Sequence, residues 1–167
     1  MHILNHRIAV VLTLLLAPLL ATPLFAAENL SDLINKAGMQ RMLSQRIAKA
    51  YLYRGNGIAE KESRIQLDIA ILKFEKNHAE LKEKVKAPEV QNLLLFVEDS
   101  FTQYKKLIQQ PYTKDNASSV LDLSEMLLET SHAVVLQLEE LSGLKIDRII
   151  NISGRQRMLS QRVAKYY

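Results

Sequence analysis

Apolar residues recur at every third or fourth position through most of the 167-residue chain, and this spacing predicts amphipathic α-helices. Residues that end or open helices divide the pattern at Gly55, Pro88, Pro111 and Gly143. Between these points the sequence predicts five helices. They run from Asn29 or Ser31 to Gly55, over about Ala59–Lys86, from Pro88 to Pro111, from a cap at Asp115 or Asn116 to Gly143, and over Leu144–Tyr167.

The connections between the first four helices are short, and short connections place neighbouring helices antiparallel. We therefore predict an all-α fold: an antiparallel, up-down four-helix bundle with an additional C-terminal helix. The apolar positions assigned to the second helix are Ile65, Ile69, Leu72, Ala79 and Leu81, and those assigned to the core face of the fourth are Val120, Leu123, Leu127, Val134 and Leu138.

One segment of the first helix recurs in the fifth. Residues 35–49 read NKAGMQRMLSQRIAK and residues 151–165 read NISGRQRMLSQRVAK, so that eleven of fifteen positions are identical. A helix that only needs to bury an apolar stripe can do so with many different residues, so repeated polar side chains indicate a chemical requirement beyond packing. These segments are called the first box and the second box below.

A helical wheel separates the first box into two faces. Small and polar residues surround Arg41 on one face, and the opposite face is apolar from Met39 to Ala50. Two usable faces predict two packing partners, and hydrogen-bond donors among small side chains suit a small anion held between helices. The candidate ligand-binding residues are Gly38, Arg41, Ser44 and Gln45 in the first box and Gly154, Arg157, Ser160 and Gln161 in the second.

Arginine suits an anion site because its guanidinium stays charged and donates hydrogen bonds in a planar fork. A buried arginine needs either a carboxylate partner or a bound anion. Both remain open for Arg41 and Arg157, which either bind an exogenous anion or pair with acids of neighbouring helices and fix helix register. The repeat favours the anion, because a ligand between two equivalent helices takes the same groups from each side.

Both boxes resemble the run Ala-Gly-Arg-Gln-Arg-Met-Leu-Ser-Gln-Arg of the type IV pili methyl-accepting chemotaxis transducer N-terminal domain, often called the PilJ domain. More distantly, they are similar to the P-box of the NarX-type nitrate/nitrite sensor kinases. That second resemblance implies a periplasmic antiparallel four-helix bundle in which an arginine of the first helix binds the oxyanion at a dimer interface. Arg41, which follows Gly38 by three residues, and Arg157, which follows Gly154 by three, match that position.

The N-terminal segment predicts export. His6 and Arg7 precede an uncharged apolar run that ends in small residues at Ala26 and Ala27. This pattern favours a secretory signal peptide over residues 1–27, cleaved after one of these two alanines. The alternative is an uncleaved membrane anchor, since about 20 apolar residues can span a bilayer. Either interpretation predicts a periplasmic location.

Composition narrows the function classes. The chain has no cysteine, which excludes disulfides and thiolate chemistry, and its net charge of +4 arises from interspersed acids and bases rather than a basic stripe. We therefore expect no nucleic-acid partner. His78 and His132 lack further ligands at metal-binding spacing, and no nucleophile and base pair is indicated, so we predict no metal, no cofactor and no enzymatic activity.

The second box determines the predicted domain organisation. Residues 28–143 are predicted to form the four-helix sensor bundle, and residues 144–167 a helix that carries the second box. That helix is either the start of an incomplete second unit or an interface helix that packs on the Arg41 face of its own chain or of a dimer partner. The interface role is favoured, because a helix with an apolar stripe must bury it.

Together these features predict a periplasmic ligand-sensing module that binds a small anion, nitrate, nitrite or another oxyanion, in signal transduction or chemotaxis. Its expected partners are the anion and either a second copy of the chain or a membrane receptor. The alternative is a non-catalytic structural protein that uses the boxes for helix packing and for association with a membrane receptor.

Overall fold

A computed structural model describes residues 22–143 and 145–167 of the chain. Within these ranges all regular structure is helical, which confirms the predicted all-α fold. None of the described helices is both long enough and apolar enough to cross a bilayer. The helices are α1 (Thr22–Gly55), α2 (Glu60–Lys84), α3 (Pro88–Ile108), α4 (Lys114–Ser142) and α5 (Lys145–Tyr166).

Most helix ends lie close to the predicted positions, with two exceptions. α1 begins at Thr22, so the end of the predicted signal segment is helical, whereas residues 1–21 of that segment lie outside the described residues. The cap of α4 is Thr113, whose hydroxyl oxygen accepts a hydrogen bond from the backbone N–H of Asn116 at 3.1 Å. The predicted caps, Asp115 and Asn116, therefore lie inside the helix. Gly143 ends α4 at the predicted position with a left-handed φ of 62°, a conformation that glycine adopts without strain.

Side-chain pairs between helices establish the bundle topology. Lys36 of α1 forms an ion pair with Glu80 of α2 at 3.2 Å, and Gln40 lies 3.3 Å from the imidazole of His78. Residues later in α1 thus meet residues earlier in α2, so these helices run antiparallel. The pairs Lys82–Glu98 and Glu75–Lys105 show the same antiparallel arrangement between α2 and α3. The pairs Gln45–Ser124 and Arg41–His132 show it between α1 and α4.

α1 is the central helix of the molecule, because it packs against α2, α4 and α5. In the bundle interior, Phe74 of α2 stacks on Phe101 of α3 with ring centroids 4.0 Å apart. The buried hydroxyl of Tyr104 on α3 donates a hydrogen bond to the backbone oxygen of Ser44 at 3.1 Å, which ties α3 to α1 across the core. Full burial of each large apolar side chain contributes about 1.5–3 kcal/mol, so this interior dominates the stability of the bundle.

α2 buries a different face from the one that its apolar pattern assigned. Of the assigned positions only Leu81 is buried, whereas Ile65, Ile69, Leu72 and Ala79 are exposed. α2 carries two sets of apolar residues at similar spacing, and periodicity alone does not show which of them faces the core. The buried residues of α2 are Ser63, Leu67, Ala70, Phe74, Asn77, His78 and Leu81. On α4 the assignment was correct for Val120, Leu127, Val134 and Leu138, and Leu123 is half-buried.

α5 lies parallel to α1, in register with the sequence repeat. Ser31 donates a hydrogen bond to a carboxylate oxygen of Asp147 at 2.5 Å, and further along the same helices Gly38 faces Gly154. Each pair is separated by 116 residues, which is the offset between the two boxes. An approximate two-fold axis therefore relates α1 to α5, and each box packs against the other.

Candidate anion site at the junction of α1, α4 and α5

The glycines of the two boxes allow α1 and α5 to approach closely. A Cβ atom on Gly154 would lie 4.0 Å from the Cα of Gly38 and 3.2 Å from Nη2 of Arg41. A Cβ on Gly38 would also lie 3.2 Å from that nitrogen. Larger side chains at these positions would displace the guanidinium or separate the helices, so the glycines set the helix spacing where Arg41 enters the junction.

Arg41 is almost completely buried, with 1% of its surface exposed. Its Nη1 lies 3.0 Å from Nδ1 of His132 on α4, and its Nη2 donates to the backbone oxygen of Asn151 on α5 at 3.3 Å. Nε has no hydrogen-bond partner among the described atoms. No carboxylate in the described ranges forms an ion pair with Arg41. A buried guanidinium that forms no ion pair is energetically costly, so Arg41 is a candidate for a role beyond packing.

The charge states at this junction follow from burial. Desolvation lowers the pKa of Arg41 to about 10, although the negative charge of Glu139 opposes the shift, so the guanidinium stays charged at neutral pH. Burial, followed by the charge of Arg41, lowers the pKa of His132. The imidazole is therefore neutral at pH 7, and its Nδ1 can accept the hydrogen bond from Arg41. This tautomer leaves the Nε2–H of His132 as a donor.

A cavity of about 80 Å³ lies beside Arg41. Arg155 and Arg162 of α5 line it together with His132, and Glu129 is the one carboxylate among the lining residues. Three guanidiniums around one carboxylate make an electropositive site. Because one water needs roughly 10–15 Å³ of such volume, the cavity can hold a small polyatomic ion. Its remaining lining is apolar: Leu128, Met158 and Leu159.

Lys165 anchors the C-terminal end of α5. Its buried Nζ donates to Gln45 Oε1 at 2.7 Å, to Ser124 Oγ at 3.0 Å and to Glu125 Oε1 at 2.6 Å. The same carboxylate of Glu125 pairs with Arg162 at 2.9 Å. One acid of α4 thus binds two cations of α5 and fixes the wall of the cavity.

Ser44 and Gln45, which the sequence predicted to contact a ligand, take part in bonds within the bundle. The hydroxyl of Ser44 donates to the backbone oxygen of Arg41 at 2.9 Å. The side-chain amide of Gln45 donates to the backbone oxygen of Ser124 at 2.9 Å. Both residues lie outside the cavity lining and support the backbone that presents Arg41.

The predicted site residues of the second box lie closer to the surface. Arg157 is exposed, and its Nη2 donates to Oδ1 of Asn35 at 3.1 Å, which mirrors the bond that Arg41 makes to α5. Ser160 is exposed and donates to the backbone oxygen of Arg157 at 2.8 Å, and Gln161 is half-buried. α4 covers Arg41, whereas no helix in the described part of the chain covers Arg157 in the same way. Arg41 and Arg157 therefore differ in burial, although the residues around them in the two boxes are largely identical.

Sequence reasoning did not assign His132, Arg155 or Arg162 to the site. His132 follows Arg41 by 91 residues and reaches it only through the packing of α4 on α1. The sequence contained one signal for Arg155, because it replaces Met39 at one of the four positions where the boxes differ. No group of His, Asp or Glu residues in the described ranges is arranged to hold a metal ion.

The fold and this junction define a helical-bundle domain with a candidate ligand site where a fifth helix packs on the first. Residues 24–123 match the family model for the type IV pili methyl-accepting chemotaxis transducer N-terminal domain, PilJ, and the chain belongs to this family. The match includes the first box and ends before the second. No curated protein and no solved structure matches the chain.

Family membership defines the general role. PilJ N-terminal domains are sensory domains of membrane transducers, typically periplasmic, and the family is non-catalytic. The chain is therefore a sensory and signalling domain of the chemotaxis-transducer type. Domains of this type work within receptor assemblies.

Proposed function

We propose that this chain senses a small anion, nitrate, nitrite or another oxyanion, in the cavity beside Arg41. The observation that carries the proposal is the burial of Arg41 without an ion pair and with Nε unpartnered among the described residues. An anion in the cavity supplies the ion-pair partner that this guanidinium lacks. Arg155, Arg162 and the Nε2–H of His132 offer further donors around the same volume.

The site suits a sensor because three helices contribute to it. Arg41 comes from α1, His132 from α4, and Arg155 and Arg162 from α5. An anion that binds only when these groups converge favours the docked position of α5 over any undocked one. In this proposal Gly38 and Gly154 shape the junction, Ser44 and Gln45 support it, and Arg157, Ser160 and Gln161 form its symmetry-related half.

The cellular setting belongs to the same proposal. Residues 1–27 act as a signal peptide that exports the chain to the periplasm, residues 28–143 form the sensor bundle, and residues 144–167 form its interface helix. A membrane receptor or a second copy of the chain receives the signal. Membrane association arises only if the signal segment is retained.

A purely structural role is the second candidate, and the close contact of the boxes favours it. Gly38 and Gly154 meet at the helix crossing, and Gln45 accepts a hydrogen bond from Lys165. Under this alternative the boxes serve only for helix packing and for association with a membrane receptor. Arg41 then contributes to stability whether or not an anion is present.

A thermal-shift screen of residues 28–167 separates the two candidates. Nitrate, nitrite, sulfate, phosphate and small carboxylates are compared at matched ionic strength. An anion at about 100 times its Kd adds about 2.7 kcal/mol to the free energy of unfolding, which raises Tm by several degrees. We expect at least one anion to do so and Arg41→Met to abolish the shift. The same shift in wild type and variant, or none across the panel, would favour the structural role.

Arg157→Met is the matched control for this screen. It removes the same charge from the equivalent position of the second box, where the side chain is exposed. We expect this variant to keep most of the anion-dependent shift. Equal losses in both variants would indicate a general charge effect rather than a site at Arg41.

A further inference from the structure

α5 carries an exposed apolar stripe on the side opposite α1. Its residues are spaced alternately by three and four, as in the seam of a coiled coil. The five apolar members are between 41% and 70% exposed, and the glutamine at the centre is exposed as well. A contiguous surface of this kind marks an interaction site. We call it the outer stripe: Ile149, Ile152, Gln156, Leu159, Val163 and Tyr166.

The internal repeat shows that the outer stripe corresponds to the face of α1 that is buried in the bundle. Each of its residues has a counterpart in α1 at an offset of 116 residues. Gln156 corresponds to Gln40, which is buried against His78 of α2. All but one of the counterparts are buried in the bundle, and Lys36 is half-buried. The counterparts are Leu33, Lys36, Gln40, Leu43, Ile47 and Ala50.

We infer that the outer stripe is a docking surface for the helices of a second PilJ-type bundle, in which α5 serves as the first helix. The partner helices run antiparallel to α5 and cover it in the way that α2 and α4 cover α1. The matching face of α1 is covered by α2 and α4, whereas the outer stripe of α5 is exposed in the described part of the chain. Its one hydrogen bond to another described helix runs from the hydroxyl of Tyr166 to Glu125 of α4 at 3.2 Å.

Charge specifies the partner further. α5 contains six basic residues and one acid, whereas α4 contains six acids and one base. Glu125 of α4 already pairs with Arg162 and Lys165 along one side of α5. An α4-like acidic helix on the outer side complements the remaining positive charge, including Arg157. Pairing of two α5 helices would instead bring like charges together.

The second bundle also accounts for the different burial of Arg41, which is buried, and Arg157, which is exposed. By the approximate two-fold relation, the α4-like helix of the second bundle lies beside Arg157 as α4 lies beside Arg41. Docking therefore buries Arg157 and completes the second half of the junction.

The test appends a copy of residues 52–143 directly after Tyr167, because Tyr167 is the counterpart of Tyr51 and the helix then continues in register. The chain has no cysteine, so Val163→Cys provides a single reporter thiol on the outer stripe. Its rate of reaction with a maleimide is measured with and without the appended helices. Leu72→Cys on the exposed side of α2 is the control reporter, and an appended segment of scrambled sequence controls for tethering.

We expect the appended helices to slow the reaction at position 163 by about tenfold or more, since exposure then requires local opening of a packed helix. The rate at position 72 should stay unchanged, and the scrambled segment should protect neither position. An unchanged rate at position 163, whether or not the appended segment is helical, would overturn the inference. Protection by anionic phospholipid vesicles, without protection by the helices, would overturn it in favour of a membrane surface.

Discussion

Arg41 is a charged residue at a position where packing alone would favour an apolar side chain. Its guanidinium has lost its water and has gained an imidazole and a backbone oxygen but no carboxylate in the described ranges. Replacement of buried charges by apolar residues of similar volume often stabilises a protein by about 1–4 kcal/mol. A residue kept for binding should therefore lower the stability of the ligand-free protein.

Arg41→Met should raise the free energy of unfolding by about 1–3 kcal/mol in a low-salt zwitterionic buffer. Methionine fills much of the same volume and removes the desolvated charge. Urea unfolding followed by circular dichroism measures the change. Arg157→Met, at the exposed counterpart, should stay within about 0.5 kcal/mol of the wild type. A loss of stability in Arg41→Met would instead identify Arg41 as a structural residue.

His132 should make the protein less stable in mild acid. Burial and the charge of Arg41 lower its pKa below the ordinary 6.5, so the unfolded chain binds the proton first. Stability is then fully present above about pH 6.5 and is lost as the pH falls through the folded-state pKa. His78, whose pKa burial also lowers, adds to the same trend.

His132→Asn tests this effect, because the amide oxygen can accept the bond from Arg41 and does not titrate. Urea unfolding at pH 7 and pH 5 should give a smaller loss of stability on acidification than in the wild type. His78→Asn provides the comparison for the second imidazole. An identical pH dependence in the wild type and in His132→Asn would contradict the assigned protonation state.

At the scale of the helices, periodicity and turn residues predicted most of the fold. Glycine and proline mark the ends of these long helices, and the repeated box revealed that the first and fifth helices are equivalent. Most of the apolar positions chosen for α2 are exposed, because this helix carries a second set of apolar residues at similar spacing, which includes Leu67, Ala70 and Phe74 and faces the core. Three residues that line the cavity beside Arg41, namely His132, Arg155 and Arg162, were also missed, because they approach Arg41 only through the packing of α4 and α5 on α1.

Gly154→Leu should undock α5 from α1 while the four-helix bundle stays folded. A Cβ at this position already lies 3.2 Å from Arg41 Nη2, and a full leucine side chain has no space at the crossing. Hydrogen–deuterium exchange should become faster in residues 145–166 and remain slow in α2 and α3. Gln156→Leu adds the same side chain on the exposed face and should leave the exchange unchanged. Slow exchange throughout Gly154→Leu would show that the close approach is dispensable.

Glu125→Gln should loosen the C-terminal half of α5. The substitution removes the acid that pairs with both Arg162 and Lys165, and it leaves the buried Lys165 without a counter-charge. Loss of one partner of a buried pair costs about 3–5 kcal/mol, and the partial exposure of Glu125 reduces this to about 2–3 kcal/mol. Amide exchange across residues 158–166 reports the effect. Glu140→Gln, an exposed acid of the same helix, is the control and should change nothing measurable.

Across the whole molecule, one helix connects the bundle core, the candidate site and the second box. α1 directs one face into the bundle and the other toward α5, so a change at the junction acts directly on the central helix. In the proposed function, an anion that draws Arg41, His132 and the arginines of α5 together would couple occupancy of the cavity to the position of α5. A receptor that contacts α5 would detect that movement.

Isothermal titration calorimetry with the oxyanion that raises Tm most tests the central claim directly. We expect one anion to bind per chain, and we expect this binding to be lost in Arg41→Met and retained in Arg157→Met. Binding that survives in Arg41→Met, or no heat of binding for any oxyanion of the panel, would contradict an anion site beside Arg41.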